Sequence, residues 1–201
     1  MVLSTEENHF QVGMGIGGLD STLRFDGDRE VDVAMTLFSM SGAYFINQRW
    51  TVRASFGALL GGDLKTTPQT THSFESGILA GAGVQYSARN NEGWAPAVDL
   101  TFFLGGLWTE TLASSGNLKT DYSAYDARLG AVAGWGITGG TFGYLAGRVF
   151  GGPVNWELDG SEVQGSDINH YQLAMGAAAH LKSVGIFAEW AALGEKGWSA
   201  G

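Results

Sequence analysis

Tyr122 to Trp135 reads YSAYDARLGAVAGW. Tyr125, Ala127, Leu129, Ala131, Ala133 and Trp135 share one parity, and Asp126, Arg128, Gly130, Val132 and Gly134 share the other. Alternation of this kind predicts a β-strand whose two faces meet different surroundings. One face is apolar and ends in an aromatic residue. The opposite face carries an acid and a base two residues apart, followed by small residues. A soluble sandwich would turn the apolar face to its core. A membrane barrel would turn it to lipid and put the charges inside. The remainder of the chain decides between the two.

The same alternation recurs along the chain. Phe10, Val12, Met14 and Ile16 oppose Gln11, Gly13, Gly15 and Gly17. Val33, Met35 and Leu37 oppose Asp32, Ala34 and Thr36, and a bulge or parity change is expected in the following FSMSGAYFI stretch. Further strands are predicted at Trp50 to Gly62, Ser76 to Ser87, Trp94 to Trp108, Thr141 to Trp156, Tyr171 to Leu181 and Gly185 to Leu193, and Trp198 opens a tenth. The polar stretches 18–30, 63–75, 109–121 and 157–168 read as loops of about 12–13 residues. They alternate with short turns, as in an up-and-down barrel with short turns at one end and longer loops at the other. The tight turn before the tenth strand breaks that rhythm.

Composition narrows the class. Charged residues make up 15% of the 201 residues, below the usual ~25%, while Gly accounts for 32 of them against a usual ~7%. No apolar run approaches the ~18 residues of a transmembrane helix. A membrane barrel needs only every second residue to be apolar. Cysteine is absent, which excludes a disulfide scaffold and thiol or Cys-zinc chemistry. A net charge of −9 argues against a nucleic-acid partner. The opening MVLSTEENHF has neither a basic n-region nor an apolar h-region.

Aromatic residues gather at the strand ends. Trp50, Trp94, Trp135 and Tyr144 fall beside the short turns, and Trp108, Trp156 and Tyr171 beside the loops. Two such rings are the girdles of a membrane barrel. The alternative is that these residues cap a soluble core. That alternative would turn the charge-bearing parity outward.

Tyr44 to Gly62 (YFINQRWTVRASFGALLGG), Trp94 to Trp108 and Tyr125 to Trp135 carry a family resemblance. The chain resembles the small bacterial outer-membrane β-barrels, the group of the OmpA transmembrane domain, OmpX and the opacity proteins. The resemblance is one of pattern over most of the chain. It implies an all-β, antiparallel up-and-down transmembrane barrel in the outer membrane of a Gram-negative bacterium. Ten strands are expected here, with eight, the usual number in that group, as the alternative. It further implies membrane lipid, lipopolysaccharide and the outer-membrane assembly machinery as partners, and a monomer. The chain reads as one barrel domain lacking a signal peptide and the end of its last strand.

Asp32, Arg53, Asp99, Asp126, Arg128, Arg148 and Glu189 are expected on the inward parity as a charge ladder. Unpaired buried charges are costly, so these should pair and fill the lumen. Alternatively they line a narrow polar channel. A third reading is a hydrolase at the rim, for which His170 near Ser166 and Asp167 is the nearest approach, although the spacing fits no triad. A soluble ligand-binding barrel is a fourth. Asp20, Asp26, Asp28 and Glu30 are weak cation candidates, since their spacing is not that of an EF-hand. Gly13 to Gly18 mimics a dinucleotide fingerprint but lies within a strand pattern with no helix after it. No cofactor is expected.

Overall fold

Alternating sequence becomes strand over nearly the whole chain. The computed structural model describes residues 9–25, 29–66, 70–90, 95–113, 119–158, 160–181 and 183–201. Among these, thirteen strands form: β1 (Phe10–Phe25), β2 (Arg29–Phe45), β3 (Trp50–Thr66), β4 (Thr70–Phe74), β5 (Gly77–Arg89), β6 (Ala97–Ala113), β7 (Lys119–Thr138), β8 (Thr141–Gly151), β9 (Val154–Leu158), β10 (Ser161–Asp167), β11 (Tyr171–Leu181), β12 (Val184–Gly194) and β13 (Lys196–Ala200). All pair antiparallel in one sheet.

The stretches expected as long loops are mostly strand. β1 runs to Phe25 and β2 begins at Arg29, the end of β3 together with β4 covers most of 63–75, and the end of β9 together with β10 covers most of 157–168. Their polar composition suggested loops, but their period of two persists: Leu23, Phe25, Val31, Val33 and Leu64 are buried while Arg24, Glu30, Asp32 and Lys65 are exposed. Among the described residues there are thirteen strands rather than ten because three long strands are interrupted, at residues 75–76, 152–153 and 168–170. At the second interruption Pro153 has no N–H to give. Gly152 also passes so close to β7 that a Cβ would lie 1.9 Å from the Tyr125 carbonyl oxygen.

The interruptions divide the hydrogen bonding into two closed circuits. Toward the turns at 46–49 and 139–140, the order is β1, β2, β3, β5, β6, β7, β8, β11, β12, β13 and back to β1, ten strands in all. Toward the opposite, far end, the order is β1, β2, β3, β4, β6, β7, β9, β10 and back to β1, eight strands in all. The difference is the β12–β13 hairpin, which is inserted between β11 and β1 only at the turn end. Its tip bends at Gly194, where φ is +77° and a Cβ would meet the Tyr171 carbonyl at 1.9 Å.

The two circuits have opposite polarity. Around the ten-membered circuit Val12, Met14, Phe56, Leu104, Leu129 and Met175 are exposed outside, while Thr51, Gln85, Asp99 and Gln172 are buried inside. Within the eight-membered circuit the interior is apolar. Leu23, Phe25, Val31, Val33, Leu64, Phe74, Tyr122, Val154 and Trp156 pack there as one cluster. An eight-stranded ring leaves an interior just wide enough for side chains to fill. Trp156, the largest of them, is 1% exposed and donates from Nε1 to Thr111 Oγ1 at 2.9 Å. His72 and Phe25 pack their rings against it.

Asp32 is a correction that follows from this polarity. It lies outside, exposed, where Thr22 Oγ1 donates to it at 2.8 Å. β2 keeps odd residues inward throughout, so Val31, Val33 and Met35 form the core and Asp32 meets solvent. The bulge also falls elsewhere than expected. The register shifts between Thr36 and Leu37, and the extra residue is Leu60 on β3.

Candidate functional site: the lumen of the ten-membered circuit

Inward residues of β7, β8, β11, β12 and the hairpin tip build one connected polar network. On β7, Asp126 and Arg128 are two residues apart and so share the inner face, and Arg128 Nε donates to Asp126 Oδ2. Arg128 reaches across the lumen to Glu195, donating from Nη1 to Oε1 at 3.0 Å and from Nη2 to Oε2 at 3.2 Å. Its guanidinium carbon lies 4.7 Å from the Phe150 ring centre, a cation–π contact. On β8, Arg148 makes the matching fork to Glu189 of β12, at 2.7 and 2.8 Å. Gln172 joins the halves. Its Oε1 accepts from Arg148 Nη1 at 2.6 Å, and its Nε2 donates to Glu195 Oε1 at 3.1 Å. Planar bidentate pairs of this kind are the strong form of charge-assisted hydrogen bond.

A second polar group lies nearer the turns. Ser87 Oγ donates to Asp99 Oδ1 at 2.8 Å, and Arg53 is in electrostatic reach of Asp99. The structure therefore places Asp126, Arg128, Arg148 and Glu189 in one hydrogen-bonded network, Arg53 and Asp99 together nearer the turns, and Asp32 on the outer face. Gln172 and Glu195 complete the larger cluster. Gln172 has inward parity in the sequence. Glu195 sits in a turn-like Gly-Glu-Lys-Gly stretch, and only the fold shows that the hairpin tip ends level with the lumen network.

Four of the expected girdle residues, Trp50, Trp108, Trp135 and Tyr171, are outside and exposed. Trp50 packs on Tyr86 with ring centres 4.9 Å apart, and Trp108 Nε1 donates to Tyr125 Oη at 3.3 Å. Trp190 and Trp198 add to this outer set. Tyr144 and Trp156 are corrections. β8 turns its even residues inward, so Tyr144 packs beside Ala146, Ala174 and Ala191. Trp156 follows the interruption at 152–153 into the apolar interior of the eight-membered circuit. Trp94 lies outside the described residues.

The cation candidates do not converge. Glu30 pairs with Arg24 at 2.8 Å, and Asp20 stands opposite Lys196 in the β1–β13 register. Asp26 and Asp28 lie outside the described residues. Among the described residues no three His, Asp or Glu side chains are grouped to hold a metal. The rim constellation is not assembled either. Asp167 accepts from Ser21 Oγ, and its Oδ1 accepts from the Asn169 N–H at 2.6 Å, while His170 is exposed.

A closed antiparallel ring with an apolar outer belt and a polar lumen is the fold of the outer-membrane β-barrels. Among solved structures, the chain is similar to the transport unit of the autotransporter AIDA-I from Escherichia coli. That likeness has 9% identity and a TM-score of 0.52 over 99% of this chain and 91% of that chain. It is also similar to the translocator domain of the autotransporter NalP from Neisseria meningitidis, with 13% identity and a TM-score of 0.50 over 98% of this chain and 88% of that chain. Ail, the attachment invasion locus protein of Yersinia pestis, has 19% identity over 85% of this chain and 97% of that chain, at a TM-score of 0.44. With the two autotransporter domains, what is shared at such identities is the fold. No protein-family model matches the sequence, and no curated protein matches it.

Proposed function

We propose that this chain is a bacterial outer-membrane β-barrel that closes its lumen and serves a structural or surface-interaction role. In this reading the ten-membered circuit is the transmembrane barrel. The eight-membered circuit stands in water beyond it as a rigid cap. The observation that carries the reading is the inversion of polarity between the circuits. A sheet with exposed Val12, Met14, Phe56 and Leu129 suits lipid. The same sheet with exposed Arg24, Glu30, Asp32 and Lys65 over an apolar interior suits water.

Closure rests on two layers. The apolar cluster around Trp156 fills the narrower circuit, and the Arg128 and Arg148 network crosses the wider one. A narrow polar channel is the competing reading, and it requires a path past both. Planar-bilayer recording separates them: the wild-type chain is expected to give no stepwise conductance, and regular unitary steps would overturn closure. Membrane placement has its own test, since a chain monodisperse in plain buffer without detergent is not a membrane barrel.

A further inference from the structure

The ten-membered circuit closes through β13 over only part of its height. β13 pairs with residues 16–20 of β1 and with residues 188–191 of β12. One further backbone pair, between Gly201 and Phe187 at 2.8 and 3.1 Å, ends that ladder. Toward the turns, residues 10–15 of β1 and 184–186 of β12 then face each other across a seam one strand wide. Among the described residues no pairing covers either edge. Backbone groups alternate in direction along an antiparallel strand. The His9 carbonyl accepts from the Phe45 N–H of β2, so the N–H and C=O of Phe10, Val12 and Met14 point the other way, into the seam. Phe187 turns its own groups to Gly201, so those of Gly185 also face the seam. Exposed Val12, Met14, Val184 and Ile186 border it outside. By parity, Gly13 and Gly185 border it inside.

We propose that this seam is the docking slot for the chain's own first residues, 1–5, added as a strand antiparallel to both β1 and β12. Residues 1–8 lie outside the described residues. Their sequence, MVLSTEEN, and their junction with β1 at the turn end of the seam carry the inference. A turn centred on Glu7 and Asn8 sets Thr5 opposite Phe10, Leu3 opposite Val12 and Met1 opposite Met14. Hairpin loops built on a type I turn accept these residue types. In that register Met1 and Leu3 extend the outward apolar face, and Val2 points inward between Gly13 and Gly185, which have no side chains to crowd it. Glu6 and Glu7 fall at the turn, beyond the apolar belt. The far edge fits as well. Ile16 and Ala188 share Ala200 as their partner, so Val12 and Val184, four residues nearer the turns in each strand, are level and flank Leu3. Open strand edges are not tolerated against lipid, where no water satisfies them, and that part of the argument rests on the membrane placement proposed above. In water such edges invite another chain. A segment tethered at His9 reaches them ahead of any separate partner, because a short linker raises its effective concentration.

The test exploits the absence of cysteine from the chain. Leu3→Cys with Val184→Cys places two thiols on neighbouring strands, facing the same way and within the separation a disulfide spans. Mild oxidation of the full chain, in detergent and in vesicles, is expected to give an intramolecular disulfide, identified by intact mass and peptide mapping. Ser4→Cys with Val184→Cys is one residue out of register and should stay reduced, because its side chains lie on opposite faces. Equal yield from the two pairs, or none from either, overturns the proposal. Disulfide-linked dimers overturn it too, giving the seam to a second copy. Hydrogen exchange supplies a measurement without cysteines. Leu3→Pro removes the N–H that meets the Val12 carbonyl in this register, and should speed exchange over residues 10–15 and 184–186 while leaving β7 as it was. Exchange unchanged at the seam overturns the proposal. Vesicle insertion is scored in parallel. Chains that insert without forming the Leu3→Cys/Val184→Cys disulfide overturn the seam assignment alone. Chains that form it in detergent yet do not insert overturn the membrane placement alone.

Discussion

Arg128 on β7 holds both carboxylate oxygens of Glu195, at 3.0 and 3.2 Å, although 67 residues separate them in sequence. Glu195 is the tip of the hairpin that widens the ring from eight strands to ten, so this pair ties the inserted hairpin to the opposite wall. The Glu195 side chain is 4% exposed and that of Arg128 is 28% exposed. Breaking a buried pair from one side costs about 3–5 kcal/mol. Arg128 retains Asp126 and the Phe150 ring, so Glu195→Ala is expected to cost less, about 2–3 kcal/mol. Replacing both partners together, Arg128→Met with Glu195→Leu, should cost less than the sum of the single changes. Reversible urea unfolding of the detergent-solubilised chain measures Glu195→Ala, the two single changes Arg128→Met and Glu195→Leu, and their double. Strict additivity in that cycle would falsify the coupling.

The apolar cap should unfold as its own unit. Trp156→Phe removes one hydrogen bond to Thr111, which still meets Thr120 Oγ1 at 2.8 Å, so about 1 kcal/mol is expected. Trp156→Ala also opens a cavity and should cost about 3–5 kcal/mol. The loss should concentrate in β4, β9 and β10. Hydrogen exchange by mass spectrometry should therefore show faster exchange over Thr70–Phe74 and Ser161–Asp167, with β5 and β11 protected as before. Equal acceleration around the ten-membered circuit would show that the two circuits do not unfold separately.

How far the sequence reveals this arrangement depends on what sets each residue's face. Tyr125 to Trp135 was legible because its strict alternation separates an exposed apolar face from a polar lumen face, and every residue of that stretch lies on the face its parity predicts. Val31 to Met35 alternates just as well, yet its apolar face points inward, into the cluster around Trp156. Periodicity gives two faces but not which is which, and the surrounding solvent decides. Trp156 misled for the same reason, since an aromatic at a strand end suits a girdle or a core equally. Glu195 was illegible for another reason: where a hairpin ends relative to its neighbours is a property of register, which no local pattern contains.

Asp32 and Glu189 should now behave differently, although the sequence pattern groups them. Asp32 is an exposed outer residue that accepts one hydrogen bond from Thr22, and Asp32→Ala should change stability by less than about 0.5 kcal/mol. Glu189→Ala strips Arg148 of a bidentate partner whose side chain is 14% exposed, and should cost about 2 kcal/mol or more. Thermal unfolding of the two variants in the same detergent gives the comparison. A larger loss for Asp32→Ala would place it back among the lumen residues.

The height of the lipid belt can be read with tryptophan. Tyr125 and Trp135 are the two aromatic residues on the outward face of β7, ten residues apart. At ~3.3 Å per residue and a tilt of ~40° they are separated vertically by about 25 Å, the height of the apolar band in membrane barrels. Trp108, packed on Tyr125, should then sit at one interface and Trp135 at the other, with Leu129 near the middle. Single-tryptophan chains in vesicles of brominated lipid should show a consistent pattern. Bromines near the headgroup should quench Trp108 and Trp135, and bromines near the chain ends should quench both weakly. A tryptophan placed at Leu129 should reverse that preference. Trp156, enclosed by Phe25 and His72 inside the cap, should be quenched by neither. Strong quenching of Trp156 would put the cap inside the bilayer and remove the physical reason for the inversion of polarity.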